Sequence, residues 1–149
     1  MKNYSLGNSE LQSSRLVYGC MRIAGDQSVN DIAKGKLAVH SAIDAGYNHF
    51  DHADIYGGGS SEQLFGELLK QSPQLREQML ITSKASIRPK NDENSYAPTR
   101  YDFSKDYILS SVEGSLKRLN IEQLDLFLLH RPDYLFDIHE VAAQFYCVR

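Results

Sequence analysis

Leu124-Asp125-Leu126-Phe127-Leu128-Leu129, running into His130-Arg131-Pro132, carries a single charge among six otherwise apolar residues. A run this short and this apolar reads as a strand covered on both faces, the kind that parallel sheets use. The segments before it repeat one rhythm. Ser104 is positioned to cap a helix whose apolar face is Ile108, Val112, Leu116 and Leu119, with Asn120 as its stop. Ahead of that, Met79-Leu80-Ile81-Thr82-Ser83 reads as another strand, followed by a polar loop over residues 87–101 with prolines at 89 and 98. A loop of that length inside a compact domain points to a functional role.

Further upstream, Ser60-Ser61-Glu62-Gln63 has the form of a capping box opening a helix. Leu64, Phe65, Leu68 and Leu69 lie on its inner face, and Pro73 ends it. Asn48-His49-Phe50-Asp51 is a very short strand. Residues 28–45 form a helix through Ile32, Val39, Ala42 and Ile43, stopped at Gly46. Gly35 inside it weakens the helix by ~1 kcal/mol against alanine. Leu16-Val17-Tyr18-Gly19-Cys20 is the first strand of the series, and residues 4–12, centred on Gly7-Asn8, form a small hairpin before it. Residues 137–145 begin a last helix. Strands alternating with helices imply parallel pairing with right-handed crossovers. With no linker, low-complexity tract or close repeat, the 149 residues read as one domain or part of one.

Composition excludes several functions. A hydrophobic share of 42% and a charged share of 23% are ordinary for a globular chain. The formal charge is −3 and the signs are mixed, without the basic stripe that nucleic acid or an anionic membrane would require. Cys20 and Cys147 are far apart and in no metal-binding spacing. No stretch approaches a membrane span, and residues 1–12 lack the apolar core of a secretory signal, so a cytoplasmic location is expected.

Parallel α/β folds gather their ligands beyond the carboxyl ends of the strands. Asp51, Lys84 and His130 each end a predicted strand, and Tyr56 follows in the loop after Asp51. Together they make an acid–base device. A phenol titrates at about 10; a nearby ammonium favours the phenolate, and a carboxylate holds that ammonium charged and in place. An imidazole can orient a carbonyl oxygen against the phenol, so the set can protonate an oxygen that gains charge as hydride reaches carbon. Singly, each residue has a plain explanation: a solvated strand end, a packed aromatic in a glycine-rich loop, a turn histidine before Pro132. Three polar strand ends in register are harder to obtain by chance. His49, Asp51, His52 and Asp54 also suggest a metal-dependent hydrolase. Strand alternation puts His49 and Asp51 on one face and His52 on the other, however, and no second ligand cluster follows, so no metal is expected.

The segment Gly46-Tyr47-Asn48-His49-Phe50-Asp51-His52-Ala53-Asp54-Ile55-Tyr56, with Ser61-Glu62 and Leu64-Phe65-Gly66 after it, resembles the signature of the aldo-keto reductases. Ser115-Leu116-Lys117-Arg118-Leu119 and the stretch from Leu124 to Pro132 resemble a second block of that family, and Leu80-Ile81-Thr82-Ser83-Lys84 the strand bearing its lysine. The resemblance implies a TIM barrel that reduces a small-molecule aldehyde or ketone with NADPH. It implies Tyr56 as proton donor, Lys84 and Asp51 as the pair that tunes it, and His130 as the residue that orients substrate. Gly19, Met21, Arg22 and Asp51 would lie on the cofactor side. Such a barrel has eight strands and roughly 250 residues, whereas four strands follow the hairpin here. The expectation is therefore the first half of a barrel. Its counterpart groups for the nicotinamide amide, the stacking aromatic and the 2′-phosphate loop are missing, and residues 146–149 depart from the usual run into a fifth strand. The competing expectation is a non-catalytic half-barrel that self-associates through its exposed strand edges.

Overall fold

In the computed structural model, which describes residues 1–90, 96 and 98–145, four strands lie side by side in one parallel sheet. They are β3 (Tyr18–Gly19), β4 (His49–Asp51), β5 (Leu80–Ala85) and β8 (Leu126–Leu129), in that order. Ahead of them β1 (Asn3–Ser5) and β2 (Gln12–Ser14) form an antiparallel hairpin, and β6 (Ile87–Arg88) pairs with β7 (Arg100–Tyr101) as a second antiparallel ribbon. Helices α1 (Val29–Asp44), α2 (Ser60–Gln71) and α3 (Lys105–Leu119) connect successive strands of the sheet, and α4 (Ile138–Phe145) follows β8. One order of elements, β3-α1-β4-α2-β5-α3-β8, gives the arc of a (β/α) barrel's first half.

The core lies between sheet and helices. Phe50 and Ile81 project from the strands against Phe65, Leu68 and Leu119, with the Phe50 and Phe65 ring centroids 5.2 Å apart. The hairpin is pinned beneath the sheet by Asn48, whose side-chain carbonyl accepts from Ser14 N at 2.6 Å and whose amide donates to Gln12 O at 2.8 Å. Asp125, the one charge in the apolar run, earns its place here. It accepts from Ile81 N at 2.7 Å and pairs with Arg76 at 2.9 Å.

Several details differ from the sequence reading. The first parallel strand is two residues, not five, because β4 offers only Phe50 and Asp51 as partners to Tyr18 and Gly19, and Leu16 and Val17 stay exposed. Lys84 is inside β5, paired in register with Leu128, rather than past the strand's end. β8 is half-buried and Leu128 is 45% exposed, since only β5 flanks it among the described residues. The capping box does not form: α2 is capped by Gly59, while the Ser60 hydroxyl donates back to Gly57 O at 2.8 Å and Gln63 faces solvent. Ser104 does occupy the N-cap of α3, but its hydroxyl donates to Asp102 at 2.6 Å instead of capping. The polar loop is pinched at both ends by the β6–β7 ribbon; residues 91–95 and 97 of it, and residues 146–149, lie outside the described residues. Ser28 does cap α1, accepting from Asp31 N, and Asn120 closes α3 in a left-handed conformation.

Candidate active site

β4, β5 and β8 run parallel, so their carboxyl ends open to the same side of the sheet, and the four chemistry-bearing side chains meet there. Asp51 is the last residue of β4, Lys84 the penultimate residue of β5, and His130 follows β8 directly. Lys84 Nζ donates to Asp51 Oδ1 at 2.6 Å and to the carbonyl of His52 at 2.7 Å. The same ammonium stands 5.1 Å from the centroid of the Tyr56 ring. On its other flank Tyr56 meets the His130 imidazole edge-on, with centroids 5.7 Å apart at 80°.

Tyr56 reaches this position because the chain turns sharply after β4. It opens a 3-10 turn, Tyr56–Gly59, whose three glycines all take positive φ, a conformation open to glycine without strain. His130 is set by its backbone, whose N–H donates to Ala85 O at 2.8 Å. Burial, then the charges of Lys84 and Arg131, hold its imidazole below the usual histidine range, so it is neutral near pH 7. A neutral imidazole keeps one N–H to offer an oxygen.

On the side proposed for the cofactor, Gly19 stands opposite Asp51 in register, and Cys20 N donates to Asp51 O at 2.9 Å. Nothing lies within 4 Å of the place where a Cβ on Gly19 would point. Met21 and Arg22 continue from it, both exposed, with Met21 O accepting from Ser61.

The histidines and aspartates grouped as metal ligands diverge. His49 is held between Ser13 and Thr82 at 2.8 and 2.7 Å. His52 is fully buried, edge-on to Phe65 at 4.6 Å, and burial pushes it down to about 3. Asp54 is pushed up to about 6 by burial and by the charge of Glu62.

Sequence reasoning missed Glu62 and Arg118 as functional candidates. Glu62 is fully buried, bonded to Ser83 Oγ at 2.6 Å and to Arg118 Nε at 2.7 Å. The available signal was its spacing: Glu62 lies three and seven residues before Phe65 and Leu69, on the face that the helix buries.

Residues 15–146 match the aldo/keto reductase family. The chain belongs to that family. It is 40% identical over 144 residues to a 6-dehydroglucose reductase of Novosphingobium aromaticivorans, covering 92% of this chain and 44% of that protein. It is 39% identical to the uncharacterized oxidoreductase YcsN of Bacillus subtilis, covering 94% of this chain and 46% of that protein. Among solved structures, the holo form of aldo-keto reductase AKR11C1 from Bacillus halodurans superposes with a TM-score of 0.83 at 32% identity, over 98% of this chain and 45% of that one. The chain spans less than half the length of each of these relatives. Their barrel is the one whose first four strands are seen here. Among the described residues, no helix is long and apolar enough to cross a membrane.

Proposed function

We propose that Asp51, Tyr56, Lys84 and His130 are the acid–base part of an NADPH-dependent carbonyl reductase. The observation that carries this is Lys84, whose ammonium is bonded to Asp51 and at the same time faces the Tyr56 ring at 5.1 Å. Membership of the family, and relatives named as reductases, support the same class of chemistry.

The residues on the Gly19 side fit such a cofactor. The strand end is open above Gly19, and Asp51 remains 30% exposed, able to accept from a sugar hydroxyl while holding Lys84. Gly19, Met21, Arg22 and Asp51 would hold the cofactor there, and NADPH, when bound, supplies the hydride that goes to the carbonyl carbon. As the hydride arrives, the carbonyl oxygen takes the electron pair of the C=O bond. His130 orients that oxygen through an N–H, and Tyr56 gives it the phenolic proton, yielding the alcohol. The negative charge left on Tyr56 faces the Lys84 ammonium until water returns the proton, and Asp51 keeps Lys84 aimed throughout. The substrate class is a small aldehyde or ketone.

Tyr56→Phe keeps the ring and deletes the proton. In the chain joined to the remaining strands of a relative, that substitution is expected to lower turnover of a nitrobenzaldehyde on the order of 10²–10⁴-fold, the contribution of a positioned general acid. NADPH affinity, followed by fluorescence titration, should stay largely unchanged. Turnover indifferent to Tyr56→Phe would overturn the assignment.

A further inference from the structure

Behind the acid–base residues lies a buried ion pair that their chemistry does not use. Glu62, in the first turn of α2, is fully buried. One of its oxygens accepts from Ser83 Oγ at 2.6 Å, and Ser83 immediately precedes Lys84 in β5. The other accepts from Arg118 Nε at 2.7 Å, in the last turn of α3. Arg118 is fixed in turn by Ser115 Oγ at 3.2 Å.

The stem of Arg118 presses on the turn that carries Tyr56. A Cβ added at Gly59 would come within 2.9 Å of Arg118 Cδ and 3.1 Å of Nε, and Gly59 itself has φ of +94°. The near end of the same turn is tied to β5, where Asp54 N donates to Lys84 O at 3.0 Å, and Tyr56 N donates to Ala53 O at 3.1 Å. Glu62 thus reaches both partners of the proposed proton transfer: Lys84 through its chain neighbour Ser83, and Tyr56 through Arg118 and the glycine turn. An ion pair with one member wholly buried is a poor source of stability, because desolvating the charges offsets most of their attraction. Its value here lies in fixing a geometry.

We infer that Glu62 and Arg118 are positioning residues that set the placement of the Tyr56 ring between Lys84 and His130. The inference rests on the reading of Tyr56 as proton donor, but its geometric part can be measured without catalysis. The chain is labelled with ring-¹³C tyrosine, and the Tyr56 signal is assigned as the one lost in Tyr56→Phe. The nuclear Overhauser contact between the Tyr56 and His130 rings is then compared across variants. Glu62→Gln keeps the side-chain shape and the acceptor for Ser83 but removes the charge that holds Arg118, and Arg118→Met removes the cation. Both are expected to shift the Tyr56 signal and weaken its contact with His130, leaving Tyr4 in the hairpin unchanged. Arg118→Lys restores a charge and part of the contact. In the chain joined to the remaining strands of a relative, the same two substitutions should lower kcat on the order of 10–100-fold with KM little changed, the cost of a misplaced reacting group. Should Arg118→Met fail to fold because Glu62 is left buried and alone, the double variant Glu62→Gln/Arg118→Met buries no lone charge and gives the same comparison. Folded variants whose Tyr56 signal and His130 contact match the parent would overturn the inference. Turnover indifferent to Tyr56→Phe would instead sink the proton-donor reading and leave the spectroscopic comparison standing.

Discussion

His52 shows how closely single residues here couple stability to the site. Its carbonyl is one of the two acceptors of Lys84, while its ring is buried against Phe65 with no hydrogen-bond partner on either nitrogen among the described residues. Burial is the main reason its folded value falls to about 3 from 6.5, with the Lys84 charge adding to it. For a base whose folded value is depressed, the unfolded chain binds the extra proton. Stability is therefore intact above about pH 6.5 and is lost as pH falls from there toward 3. His49 and His130 are displaced in the same direction, both chiefly by burial, and add to the acid limb. The expected outcome is that the urea midpoint falls between pH 7 and pH 4.5, less steeply below about 6, where the buried Asp54 takes up a proton in the fold and offsets part of the loss, and that His52→Phe, which keeps an aromatic beside Phe65, flattens this decline. An unchanged pH slope in His52→Phe would show that other groups govern the limb. Asp51, Tyr56, Lys84 and His130 were readable as a set because each is polar where a strand or the turn after it ends. Glu62 was not, since a glutamate in a helix's first turn ordinarily faces water and favours the N-terminal dipole.

At the scale of elements, apolar runs and helical spacing located the four α-helices and the four parallel strands of the described residues, because burial of one face imposes those periods, while the 3-10 turn Pro73–Gln78 was read only as a helix end. What they did not fix was where an element stops. β3 is short because its neighbour β4 is short, a property of the pairing rather than of Leu16 and Val17. The box at Ser60 looked complete, yet Gly59 takes the cap with φ of +94° and the Ser60 hydroxyl turns back to Gly57 O. Gly35 makes the same point with a measurable sign. By propensity alone Gly35→Ala should stabilise α1 by ~1 kcal/mol. In the fold, however, that Cβ would lie 1.9 Å from Ile23 O and 3.0 Å from a Leu64 methyl, so the loop after β3 packs directly on the glycine. Backbone cannot yield as a flexible side chain does, and overpacking of this kind costs about 1–3 kcal/mol. Gly35→Ala is therefore expected to destabilise, read as a lower midpoint in urea at unchanged slope. A gain in stability would mean that the loop carrying Met21 and Arg22 moves away freely.

For the molecule as a whole, the decisive fact is how the four strands divide the labour of a barrel. The proposed proton donor Tyr56, with Lys84 and Asp51, and the histidine proposed to orient substrate sit on β4, the turn after it, β5 and the residue that follows β8. The groups proposed for the cofactor are the end of β3 at Gly19, the exposed loop residues Met21 and Arg22 that follow, and Asp51. Proton donation is only part of the reaction. Hydride transfer needs the nicotinamide held within roughly 3–3.5 Å of the carbonyl carbon, and that positioning accounts for about 7–11 kcal/mol of the barrier. One loop touching one side of a dinucleotide cannot hold it to that tolerance. A polypeptide of these 149 residues alone is therefore expected to show no saturable NADPH or NADH binding at micromolar protein, and negligible reduction of nitrobenzaldehyde. Joining it to the remaining strands of a relative such as the Novosphingobium reductase, of which it matches 44%, should restore both, with turnover dependent on Tyr56. Micromolar binding and Tyr56-dependent turnover by the 149 residues unaided would overturn this division. Closure of the mouth would then have to come from the chain itself, and a turnover rate rising with the square of protein concentration would identify two copies as its source.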